Sequence, residues 1–174
     1  MFEDLDILKF TNFFKNYLLD VGLTIFWADT INMFITLLVI TVIAYFFDRF
    51  LRFVIVKLFY LFSIKTKTTF DDFLVTSKFP RYVAHIIPLF ILKYIVPSIL
   101  LGFPFLLKAF ETVINIYGII LIVKIIRSFI KSTQRYLRTK ERFKDKPLES
   151  YLQVLMMFTW GTGIFFIINL MVLT

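Results

Sequence analysis

The sequence predicts an all-α membrane protein, with four transmembrane helices preceded by an N-terminal interfacial amphipathic helix. Two observations carry that prediction. Four long apolar runs, residues 31–47, 82–101, 112–126 and 152–173, approach or reach the roughly 20 residues a helix needs to cross a hydrocarbon core about 30 Å thick. Basic residues crowd only every second connection between them. With 59% hydrophobic residues and a mean hydropathy of +0.83, the 174-residue chain has more apolar surface than one small soluble core could hide.

Residues 1–28 open with an amphipathic pattern. Leu5, Leu8, Phe10, Phe13, Phe14, Tyr17, Leu18 and Val21 recur mostly at helical spacing, with charged residues between them. The segment is too polar to span, and with Trp27 just beyond it reads as a helix lying on the outer leaflet or as a cover on the other helices. The first residues lack the basic region of a cleavable signal peptide.

Residues 29–64 form the first membrane helix with an interfacial extension. Hydrophobicity resumes after Asp48 and Arg49, so a continuous helix over 31–64 would run about 50 Å. It must tilt, project or bend, and a bend at the membrane boundary is the expectation, with Arg49, Arg52 and Lys57 reaching lipid headgroups.

Residues 65–78 are a polar linker in which Asp71 and Asp72 cap a helix start rather than chelate a cation. Residues 79–146 are a helical hairpin carrying the second and third spans and a basic extension. Pro88 and Pro97 each remove a backbone donor in the second span, which predicts kinks and makes both candidate hinges. The connection between these two spans is expected around Lys108 and Glu111. The third span continues as a stripe, Arg127, Lys131, Arg135, Arg138 and Arg142, expected to meet anionic lipid.

Residues 147–174 form the fourth span, with Pro147 at its first turn and Glu149 near the positive end of its dipole. Thr159, Gly161 and Gly163 offer small residues for close helix packing. The run ends on Thr174, and the expectation is a fragment of a longer protein.

Charge sets the orientation. Nine basic residues lie between Lys124 and Lys146 and seven between Arg49 and Arg81, so these two connections belong on the cytoplasmic side and the N-terminus outside. The net charge of +8 is what topology alone produces, and nucleic acid is not an expected partner. With no cysteine there is no thiolate chemistry, and the single histidine, His85, has no neighbouring nucleophile or fellow ligand and reads as packing. The chain is not expected to be an enzyme or to hold a cofactor. Lys93, near the middle of the second span, is costly there; snorkelling, or bonding to carbonyls loosened by Pro97, explains it most simply.

Three segments together resemble a known family. TFDDFL at Thr69 to Leu74, SKFPRYVAHIIP at Ser77 to Pro88, and KPLESYLQV at Lys146 to Val154 are similar in order and spacing to the miniconductance branch of the small-conductance mechanosensitive channels. The resemblance covers about residues 70–174. It implies a bacterial inner-membrane location, homo-heptamers, lipids as partners, and a tension-sensing role for these helices. It also implies that the pore helix and cytoplasmic β-domain lie outside this segment, with ions passing through that external pore. The competing class is a small transporter or a non-conducting scaffold, for which Lys93 with Asn115 would seed a polar pathway.

Overall fold

The computed structural model describes residues 14–65, 69–143 and 147–173 and contains only helices there. Most of the expected amphipathic segment, residues 1–13, and the residues joining the first span to the linker, 66–68, lie outside the described residues. So do 144–146 and Thr174.

A short helix, α1 (residues 14–20), closes on Gly22, whose φ of +93° is open to glycine at no steric cost. Gly22 N–H donates to the Leu19 carbonyl and Leu23 N–H reaches back to that of Leu18, which satisfies two end carbonyls and turns the chain into the first span. Lys15 then pairs with Asp29 across the turn at 2.6 Å.

The first span, α2 (Ile25–Lys65), is one unbroken helix of 41 residues, about 60 Å long. The bend expected at Arg49 does not interrupt it. The reason is in the sequence: no proline or glycine occurs between residues 25 and 65. Two short helices follow, α3 (Thr69–Val75) and α4 (Phe79–Ala84), so the expected linker is itself mostly helical.

The second span comprises α4 and α5 (Ile86–Leu100), divided at His85. The division falls where Pro88 withholds the donor that the Ala84 carbonyl would need. His85 keeps right-handed angles of −69° and −17°, so the two pieces continue in one direction. Pro97 lies inside α5, which runs through it without a break.

The connection to the third span is shorter than expected. The helix α6 (Pro104–Arg138) starts with proline in its first turn, leaving only residues 101–103 as the turn and placing Lys108 and Glu111 on helix. A 3-10 turn (Glu141–Phe143) and α7 (Leu148–Leu173) complete the fold.

Packing follows a row. The helices α3, α4 and α5 each touch both α2 and α6, and α7 packs on the other side of α6. At the end near the 101–103 turn, Met33, Val96 and Leu100 form a small core with Leu37, Leu92 and Leu107 around it. Further buried residues lie along the α2 and α6 contacts with α4, among them Asp48, Pro80, Ala84 and Ser132. Among the described residues four helical stretches, counting α4 with α5 as one, are long and apolar enough to cross a membrane, and only 6% of the most apolar stretch of α7 is buried. Lipid, or another chain, must solvate the remainder.

Candidate functional site

From Ile25 to Asp48 α2 rises roughly 35 Å, and from Pro104 to Lys124 α6 rises about 30 Å, so each is long enough to cross a hydrocarbon layer before reaching the level of Asp48 and Lys124. At that level α3 and α4 are wedged between them. We call this region the joint.

Three polar contacts tie the joint together. Asp48, which is 8% exposed on α2, accepts a hydrogen bond from Arg52 one turn on. Its other oxygen lies 2.5 Å from Nδ1 of His85, off the line of a directed hydrogen bond, so this contact works by proximity of charge when the imidazole is protonated. The buried Ser63 hydroxyl on α2 donates to Asp72 in the first turn of α3. On the far side, the buried Ser128 of α6 faces the Ser77 hydroxyl at 3.5 Å. Ser77 also accepts from the Phe79 N–H and donates to the Leu74 carbonyl, which fixes the α3–α4 turn on itself.

Aromatic rings fill the space between these tethers. Phe79 of α4 sits between Phe59 of α2 at 6.0 Å and Phe129 of α6 at 5.9 Å, while Phe70 of α3 meets Phe129 at 6.0 Å and Tyr136 at 5.4 Å. Edge-to-face pairs of this kind contribute about 1 kcal/mol each beyond area burial. The α2–α6 linkage is therefore a relay of small contacts through two short helices, and among the described residues α2 and α6 share no extensive face of their own.

No family model, curated protein or solved structure matches the chain. The site is consequently read from its own residues.

The expected headgroup residues separate into groups. Arg127, Lys131 and Arg135 on α6 line one cavity of about 370 Å³ together with Lys124 and with Lys78 from the α3–α4 turn. Arg49, Arg52 and Lys57 line an open groove of about 690 Å³ with Arg81, although Arg52 is also engaged by Asp48. Arg138 instead pairs with Glu149 and so links α6 to the start of α7. Arg142 lies exposed on the 3-10 turn. Lys78 and Arg81 belong to these clusters but sit in a different element from the stripes, which is why periodicity along one helix does not find them.

Of the small residues on α7, Gly163 is the contact. A Cβ there would lie 2.7 Å from Cγ2 of Val123 on α6. Gly161 opens away from α6, with no atom of the described residues within 4 Å, and the Thr159 hydroxyl is spent on its own helix at the Leu155 carbonyl. Two residues along a helix turn the side chain by about 200°, so positions 161 and 163 cannot share a face.

Lys93 is also reassigned. Its Nζ donates to Oδ1 of Asn115 on α6 at 2.8 Å, so neither snorkelling nor a Pro97-loosened carbonyl is needed to account for it. Among the described residues no group of three or more His, Asp or Glu side chains gathers as a metal site would require.

Proposed function

We propose that this chain is the peripheral, tension-sensing membrane region of a mechanosensitive channel subunit of the small-conductance family's miniconductance branch. The observation that carries this reading is where the resembling segments fall. Two of the three, Thr69 to Leu74 and Ser77 to Pro88, make up α3, the α3–α4 turn, α4 and the break before Pro88, and the third opens α7. The residues that carry the resemblance are thus those that join the helices, where a sensor has to transmit.

The mechanics follow from the lengths. A helix of about 60 Å cannot stand upright within a bilayer of about half that hydrocarbon thickness without projecting, and its tilt depends on that thickness. Tension thins the bilayer and favours whichever arrangement occupies more area in its plane. A change in the tilt of α2 reaches α6 through the joint, and α7, which rides on α6, carries the movement onward to a pore helix outside the 174 residues. In this reading the joint and its basic residues face the cytoplasm of a bacterial inner membrane, the N-terminus lies outside, and subunits assemble as heptamers.

The transporter alternative has the Lys93–Asn115 bond in its favour, but Lys93 meets no acid among the described residues, and proton or ion coupling needs such a partner. Patch recordings decide between them. The complete reading frame that contains these residues, expressed in cells lacking their own mechanosensitive conductances, is expected to give openings that appear with suction and vanish on its release. Membranes that contain the protein and stay silent under suction would overturn the proposal.

A further inference from the structure

We infer that the cavity between the α3–α4 turn and α6 is a binding site for a phospholipid headgroup bearing two phosphate groups. Lys124, Arg127, Lys131 and Arg135 project from α6 at steps of three and four, and Lys78 closes the cavity from the α3–α4 turn. No acidic side chain lines it, and none of these five cations has an ion-pair partner among the described residues. Like charges one turn apart on a helix repel, so such an array destabilises α6 unless an anion sits within it.

The walls select what that anion can be. Ser77, Ser128 and Ser132 line one side with hydroxyls, Ser128 and Ser132 being buried, which gives the cavity a polar wall that carries no charge of its own. Lys124 and Arg135 are eleven residues apart, roughly 16 Å along α6, so a single phosphate cannot meet the cations at both ends, whereas two linked phosphates can. The arginines offer paired donors that match phosphate oxygens, and the lysines add point charge.

Position identifies the source. The cavity begins about 30 Å along α6 from Pro104, at the depth of lipid headgroups, and basic pockets between helices at that depth take polyphosphate lipid heads. The site goes beyond the channel proposal and does not depend on it, since no step of its argument involves conduction.

Lipid-resolved mass spectrometry of the detergent-purified protein tests it. Diphosphatidylglycerol is expected to bind at least about tenfold more tightly than phosphatidylglycerol supplied at twice the concentration, where the total charge is the same. Lys78→Gln, Arg127→Gln and Lys131→Gln combined should abolish that preference, since each surface-level cation is worth roughly fivefold in affinity. Lys65→Gln, Lys108→Gln and Lys140→Gln, an equal loss of charge outside the cavity, should leave it within about twofold. The wild-type preference is measured without any variant, so a triple variant that fails to fold does not remove the test. Equal binding of the two lipids by the wild-type protein, or equal loss in both triple variants, would overturn the site. Displacement of the lipid by free pyrophosphate at matched concentration would assign it to a soluble anion and overturn the lipid source.

Discussion

Gly163→Leu is expected to push α7 off α6 at the cost of about 2 kcal/mol or more, because the first atom of the new side chain already meets Val123 at 2.7 Å. Close approach through a small residue is what holds two apolar helices together where water supplies no drive between them. The helix has no comparable second neighbour among the described residues, so its position there has little other support. The same replacement at Gly161 should change nothing, since that position opens outward. Equilibrium unfolding in mixed micelles checks the pair, and Gly163→Ala supplies a finer test. Its loss should be recovered in large part by Val123→Ala, which removes the methyl that clashes. A Gly163→Leu protein as stable as its Gly161→Leu counterpart would show that α6 and α7 are not in contact there.

Asp48→Ala is expected to cost about 2 kcal/mol, less than the 3–5 kcal/mol of a fully buried pair because Arg52 keeps part of its hydration. Removing the carboxylate leaves Arg52 without its acceptor and leaves His85 at the α4–α5 break with no anion beside it. Asp48→Asn, which keeps an acceptor for Arg52 while losing the charge, should recover a portion of the loss. The double variant Asp48→Ala with Arg52→Ala should be less damaging than the sum of the two singles, as expected for groups that share one interaction. Stability of Asp48→Ala indistinguishable from wild type in equilibrium unfolding would remove Asp48 from the account of the joint.

Much of the architecture is legible in the sequence because spanning length is a matter of composition alone. Ile25–Lys65 also declares its continuity, through the absence of any proline or glycine to break it. The joint is another matter. Asp48 and His85 are 37 positions apart and belong to different helices, so their pairing exists only once α4 is set beside α2. Phe129 and Tyr136 look like any apolar face of a helix until Phe70 is placed between them. A signal was present in Ser128 and Ser132, two small polar residues one turn apart on α6, which marks where another backbone comes close. Lys108 and Glu111 misplace the second turn because charge reads as loop, whereas a helix end at a membrane face accommodates both.

The central claim is that tension is transmitted through the joint, and a single bridge tests it. Ser77 and Ser128 face each other at 3.5 Å, and none of these 174 residues is a cysteine, so only cysteines lying outside them need replacing before the test. In the complete protein carrying Ser77→Cys and Ser128→Cys, patches recorded before and after oxidation compare a free joint with a stapled one. The account predicts that oxidation raises the suction needed for opening and that reduction restores it, with single-channel conductance the same throughout. An unchanged threshold with a changed conductance would contradict it, placing these helices at the ion path rather than at its periphery.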